Sequence, residues 1–408
     1  MHTVFRARLA GLAAILLCLG AAPAQRWTSA WATAQQAYQG DNSQAEGAFE
    51  DVTLRQLVRT SVGGRQLRIR ISNAFGTDAL LLSGVNIALA PDPASPKILR
   101  GSDRPLTFSR ARQVAVPAGA EYVSDPVDLD IPPLATLAVS MHILKDPKSE
   151  SGHVGSRATS YIVKGDQLSA SDLPGAKTVD HWYNLTAIDV TGGRGAIAIL
   201  GDSITDGNGV QPNTNQRWPD FLMERLQASP RTRGLSILNL GIGGNRLLND
   251  GIGPNALARF DRDVLRRSNV RYLIILEGVN DLGTLTREAP VSAGEHTTQT
   301  QRMIAAYRQM VARAREHGIK VIGATVMPYG SNEYYHPAAV NEADRQAINA
   351  WIRKPGNFDA VIDFDRLVRD PAHPERLLAA YDKGDGIHPS IAGYRLMAEA
   401  VPLSLFSR

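Results

Sequence analysis

The feature that most constrains this chain is an apolar run, Ile197-Ala198-Ile199-Leu200, that stops at Gly201-Asp202-Ser203-Ile204-Thr205-Asp206-Gly207. Such a run bounded by turn residues predicts a strand buried on both faces, as in a parallel sheet. The small polar residues that follow predict a tight turn at the strand's carboxyl end, where open α/β sheets place their chemistry. Ser203 is therefore a candidate nucleophile. Gly-Asp-Ser also occurs in ordinary turns, so this reading needs partners elsewhere in the chain.

Around that strand the second half of the chain alternates as a parallel sheet wrapped by helices does. Strands are predicted at 196–202, 235–240, 271–277, 320–326 and 360–364, and helices at 217–228, 256–267, 298–317, 339–353 and 390–400. Met303, Ile304, Tyr307, Met310, Val311 and Ala314 share one helical face and read as core, with His317-Gly318 as the stop. His296 and His373 are read as structural in the same way. Residues 26–190 have another texture: Gln66 to Ser72 alternates with period two, as do Val114 to Val116 and Val127 to Ile131. This predicts a β-sandwich, joined to the α/β part by the short linker Thr191-Gly192-Gly193-Arg194-Gly195. Arg65, Arg68 and Arg70 read as the solvated face of a half-buried strand rather than as a binding strip.

Three further segments supply what a serine nucleophile requires. Asp385 and His388, in Asp382-Lys383-Gly384-Asp385-Gly386-Ile387-His388-Pro389, are spaced to give a base and the group that orients it. Asn239-Leu240-Gly241-Ile242-Gly243-Gly244-Asn245-Arg246 follows an apolar run, and its glycines let backbone N–H groups approach a developing oxyanion. Tyr272 to Leu276 is another buried strand; past its end, Asn280 offers a side-chain amide to the same oxygen. An α/β-hydrolase would instead show Gly-x-Ser-x-Gly, with its acid well separated from its histidine.

Taken in order, these blocks resemble those of the GDSL, or SGNH, hydrolase superfamily over roughly residues 195–405. The resemblance implies a flavodoxin-like α/β sheet, preceded here by an all-β, jelly-roll-like sandwich. It implies Ser203 as nucleophile, His388 as base and Asp385 as its partner. The Ser203 N–H, the Gly244 N–H and the Asn280 amide would form the oxyanion hole, with Gly243 the competitor to Gly244. The implied activity is ester hydrolysis through an acyl-enzyme on Ser203, with removal of short acyl groups, acetyl above all, from carbohydrate as the leading substrate reading. The alternatives are a lipase-like acylhydrolase on longer lipid esters and an inactive carbohydrate-binding protein.

Other residues fill in the setting. Asn245 and the loop residues Tyr334, Tyr335 and His336 are candidate substrate contacts. Asp202 reads as support for the turn. Trp27, Trp31, Trp182 and Tyr183 are placed as interface packing rather than a sugar platform. No pattern of metal ligands or phosphate-binding glycines appears, so no metal and no cofactor is expected.

Arg6 and Arg8 ahead of the apolar run Leu9 to Leu19, with Ala22-Pro23-Ala24 after it, read as a cleaved signal over residues 1–24. The run is short for a membrane span, so no stable membrane insertion is expected and the product would be secreted or periplasmic. The single cysteine, Cys18, lies inside that segment, which leaves the mature chain without disulfides. The formal charge of +4 shrinks once Arg6 and Arg8 are removed, which gives no case for nucleic acid. The catalytic part is assigned to residues 195–408.

Overall fold

A computed structural model describes residues 26–406 apart from residue 39; the expected signal segment lies outside the described residues. Among them, no helix is long and apolar enough to cross a membrane.

The first half is built from antiparallel sheets. In one, Trp27–Ala32, Leu185–Thr191 and Gly64–Ser72 run side by side, with Glu121–Val123 and Val127–Ile131 along the far edge of Gly64–Ser72. In a second, Val52–Arg59, Thr136–Ile143 and Leu80–Ala90 form the centre, and a small third sheet joins Trp182–Tyr183, Ser151–His153 and Gln36–Ala37. The alternation seen in the sequence decides which residues face inward. Leu67, Ile69, Ile71, Ile188 and Val190 from the first sheet share a core with Leu54, Val58, Val85, Ile87, Leu137, Val139 and Met141 from the second. Trp31 and Trp182 are buried edge to face at 5.0 Å, and Tyr183 is also buried, so these aromatics pack the fold.

Arg68 and Arg70 do alternate with buried apolar residues, but they do not form a solvated face. Both reach the fully buried Asp189 on the neighbouring strand, Arg68 at 3.0 Å and Arg70 at 3.1 Å, and Ser268 Oγ donates to the same carboxylate at 2.8 Å. A buried carboxylate needs such partners, and they came from a strand more than a hundred residues away in sequence.

The second half carries a five-stranded parallel sheet in the order Leu235–Gly241, Gly195–Gly201, Val270–Leu276, Lys320–Ala324, Ala360–Ile362. The helices are α1 (Ser203–Asp206), α2 (Trp218–Ala228), α3 (Ala256–Phe260), α4 (Val279–Thr286), α5 (Ala293–Glu316), α6 (Ala339–Arg353), α7 (Phe364–Val368) and α8 (Ile391–Ala400). Helix α5 starts earlier than its apolar stripe does, because Ser292 and Glu295 form a capping box ahead of a polar first turn. The strand order reverses direction at Gly195–Gly201, and a sheet of this kind opens a crevice beyond the carboxyl ends of the strands at that point. The two halves are in contact: Ser236 Oγ donates to the Ser29 carbonyl at 2.6 Å, and Ser61 Oγ accepts from the Ile237 N–H at 2.9 Å.

Candidate active site

The three strands around the switch point end in the segments that the sequence singled out. After Gly201 the chain turns at once into α1. Asp202 caps that helix, its Oδ1 accepting from the Ile204 N–H at 2.9 Å, and Ser203 occupies the first helical position. Two glycines make the turn sterically possible. A Cβ on Gly201 would lie 2.3 Å from Thr205 Oγ1, and one on Gly241 would lie 2.5 Å from the Asp206 nitrogen, so α1 packs directly on the neighbouring strand ends.

Ser203 is mostly buried, and its Oγ lies 2.8 Å from His388 Nε2. His388 Nδ1 lies 2.7 Å from Asp385 Oδ2, while Asp385 Oδ1 accepts from the His388 backbone N–H at 2.9 Å. The carboxylate thus accepts a hydrogen bond from Nδ1–H, which keeps the proton on Nδ1 and turns the unprotonated Nε2 toward the serine. Burial pushes the Asp385 pKa up, but hydrogen bonds from the His388 ring, its backbone N–H and Lys383 outweigh this and hold the carboxyl below its ordinary range. Lys383 Nζ lies 2.9 Å from Asp385 Oδ2 and 2.5 Å from Asn208 Oδ1, linking the acid to the loop just after α1.

Beyond the second strand, Gly244 adopts φ +67, a left-handed conformation suited to glycine, whereas Gly243 has no such requirement. Beyond the third, Gly278 at φ +113 turns the chain into α4, whose second residue is Asn280. Asn280 is buried; its Nδ2 donates to the Asn245 carbonyl at 2.8 Å and its Oδ1 accepts from Tyr335 Oη at 2.7 Å.

Several expected contacts have other work. The Asn245 side chain is buried, with Nδ2 donating to the Pro254 carbonyl at 2.8 Å and Oδ1 accepting from Arg259 Nε at 3.0 Å and Nη2 at 2.7 Å, which leaves it committed to the turn rather than to a ligand. Tyr335 is likewise buried against Asn280. Tyr334 is 60% exposed, stacks under the Arg287 guanidinium and accepts from it, and His336 is exposed next to it.

Beneath the strand ends lie residues that sequence reasoning did not assign to the site. Arg259, fully buried, donates to the carbonyls of Leu240 at 2.7 Å and Gly201 at 3.1 Å. Burial, reinforced by the charge of Asp281 and opposed by the Ile204 N–H, raises the Asp202 pKa to about 7. Burial also raises Asp281 to about 7, against hydrogen bonds from the Leu247 and Leu248 N–H groups. Asp202 sits in the serine block itself and Asp281 directly follows Asn280, whereas no motif announces Arg259. Among the described residues, no group of three or more His, Cys, Asp or Glu side chains converges as metal ligands.

What the arrangement offers chemically is an alcohol hydrogen-bonded to an imidazole that a carboxylate orients, the nucleophile and base that acyl transfer requires. A GDSL-like lipase/acylhydrolase family model matches residues 199–396. Among solved structures, the chain is similar to a GDSL-like lipase from Bacteroides thetaiotaomicron, with 22% identity over 52% of this chain and 87% of that one and a TM-score of 0.37. It is also similar to a variant of an acetyl xylan esterase from Geobacillus stearothermophilus, with 23% identity over 51% of this chain and 93% of that one and a TM-score of 0.36. No curated protein matches the chain. Residues 199–396, which hold the serine, the glycine turn, the asparagine and the acid–histidine pair, are a domain of the GDSL-like lipase/acylhydrolase family, the SGNH hydrolases.

Proposed function

We propose that this acylhydrolase cleaves esters through an acyl-enzyme on Ser203 and that its substrates are short acyl groups, acetyl above all, on carbohydrate. The observation that carries the chemistry is the relay from Asp385 Oδ2 to His388 Nδ1 at 2.7 Å and from His388 Nε2 to Ser203 Oγ at 2.8 Å. His388 takes the hydroxyl proton as Ser203 Oγ attacks the ester carbonyl carbon, and the carbonyl oxygen becomes an oxyanion. The N–H groups of Ser203 and Gly244 and the Asn280 amide receive that charge. His388 then gives its proton to the departing alcohol, and a water activated by the same imidazole hydrolyses the acyl-enzyme. Asp385 offsets the imidazolium charge in both steps.

The short-acyl reading draws on the small and polar residues of the two segments assigned to the oxyanion hole, Gly243 and Gly244 in one and Asn280 in the other. One observation favours a second reading. Ile252, 54% exposed, lies against Gly244 and offers an apolar surface to a longer acyl chain. We assign catalysis to residues 195–408 and an accessory role to residues 26–190, with export through residues 1–24.

Initial rates on p-nitrophenyl esters from acetate to long acyl chains, with Ser203→Ala as the blank, test the reading. A serine-dependent rate that falls steeply beyond short chains is expected. A rate that rises with chain length moves the assignment to lipid esters, and a rate unchanged in Ser203→Ala overturns the mechanism.

A further inference from the structure

We propose that His153, carried by the antiparallel half, is a positioning residue for the Ser203 turn, so that the two halves form one catalytic unit; this rests on the reading of Ser203 as nucleophile. His153 ends the short strand Ser151–His153 and is buried. Its Nδ1 lies 3.0 Å from the Ala34 carbonyl and its Nε2 lies 2.8 Å from Asp206 Oδ1. The carbonyl can only accept, so Nδ1 carries a proton. The Nε2 contact then holds one shared proton, as imidazolium with carboxylate or as imidazole with carboxylic acid. Either form is a desolvated hydrogen bond that fixes both rotamers.

The partner determines the consequence. Asp206 is the last residue of α1 and Ser203 is the first. A single helical turn does not hold itself together, so its orientation comes from what it packs on. The antiparallel half grips this turn closely. A Cβ on Gly155 would lie 2.0 Å from Asp206 Oδ2, so only glycine lets that loop approach the carboxylate. Farther along, the Arg157 carbonyl accepts from the Asn213 N–H at 2.8 Å, and the Thr159 N–H donates to Asn213 Oδ1 at 2.9 Å. The segment that sets where Ser203 Oγ meets His388 is thus held on its far side by residues outside the α/β half. In this reading, the antiparallel half is needed even for a small soluble ester that offers no polymer to bind.

The test uses the full chain with His153→Gln, Asp206→Asn, both together, and Ser203→Ala, assayed on p-nitrophenyl acetate well below each variant's Tm. His153→Gln is expected to lower kcat on the order of 10²-fold, with KM changed by less than about threefold, because displacement of a reacting group by an ångström has that effect. Diisopropyl fluorophosphate labelling of Ser203 is expected to slow in parallel, a readout that a purely stabilising contact would not move. The double variant should lose no more than the worse single one, because both remove one interaction. Wild-type kcat in His153→Gln, or losses that multiply in the double variant, overturns the proposal. If His153→Gln does not fold, Asp206→Asn carries the test alone, and a wild-type kcat there overturns it. Activity retained in Ser203→Ala would instead bring down the nucleophile assignment itself.

Discussion

Tyr335 Oη donates to Asn280 Oδ1 at 2.7 Å, across 55 residues of sequence, and so decides which end of that amide faces the glycine turn. With the oxygen taken by Tyr335 and one N–H by the Asn245 carbonyl, the second N–H is the one the proposed oxyanion would use. In Tyr335→Phe the amide loses the donor that fixes its orientation and can rotate to present oxygen instead. Turnover is expected to fall about tenfold, less than the 10²- to 10³-fold loss expected for Asn280→Ala. Steady-state kcat on p-nitrophenyl acetate measures both, and a Tyr335→Phe rate equal to wild type would show that the Asn245 carbonyl orients the amide alone.

Lys383 shares Asp385 Oδ2 with His388 Nδ1, which places two cationic partners on one carboxylate oxygen once the imidazole is protonated. Removing the ammonium leaves more of the carboxylate's charge to stabilise the imidazolium. His388 must be neutral to act as a base, so in Lys383→Met the acidic limb of the kcat/KM profile is expected to move to higher pH. Both partners are about a third exposed, so the move should be less than about one pH unit and should shrink as salt is added. A pH–rate series at low and high ionic strength checks the direction, and a limb that moves toward lower pH contradicts the argument.

The buried strands were legible because an apolar run bounded by glycine has few other places to go, and α5 because Met303, Tyr307, Met310, Val311 and Ala314 recur at helical spacing and are all buried. Helix α4 was not. Its sequence contains Gly283 and two threonines, poor helix formers, and Gly283 earns its place only by contact, since a Cβ there would lie 2.4 Å from the Tyr335 ring. The same distinction runs through the site. Asp385 and His388 could be paired on paper because three residues bring them onto one turn. Tyr335 and Asn245 read as substrate contacts because their partners, Asn280 and Arg259, are fixed by tertiary packing that no local spacing encodes. His153 carries no signal in sequence, standing 53 residues from Asp206 with no motif around it.

Asp202 makes the fold's stability depend on pH in a defined direction. Burial lifts its pKa to about 7, so the folded state holds a proton there that the unfolded chain, with an aspartate pKa of about 3.9, has released. Its contribution to stability is therefore greatest below about pH 4 and is lost as pH rises through about 7. Asp202→Asn keeps an oxygen to accept from the Ile204 N–H and removes the titration. A Tm series from pH 4 to pH 8 is expected to fall less steeply for the variant than for wild type. Parallel curves would mean that the carboxyl is ionised throughout.

Arg259 and Glu277 sit 3.4 Å apart with no exposure, yet they should respond to substitution very differently. Burial first, and then the charge of Asp202, push Glu277 well above the ordinary carboxyl range despite the guanidinium beside it. Asp263 is the better counter-ion: burial raises its pKa, but Arg262, Arg259 and Arg267 outweigh that and hold it low. If Glu277 carries a proton, Glu277→Gln mimics that form and should change unfolding free energy by less than about 1 kcal/mol. Arg259→Met leaves Asp263 with one cation fewer and abandons the carbonyls of Leu240 and Gly201 and the side chain of Asn245. Loss of a buried charge partner of this kind should cost about 3–5 kcal/mol. Because those groups end the two strands that lead to Ser203 and Gly244, kcat should fall even in the fraction that remains folded. Urea unfolding curves with kcat measured at saturating substrate separate the two variants, and equal destabilisation would place the ionised carboxylate on Glu277 instead.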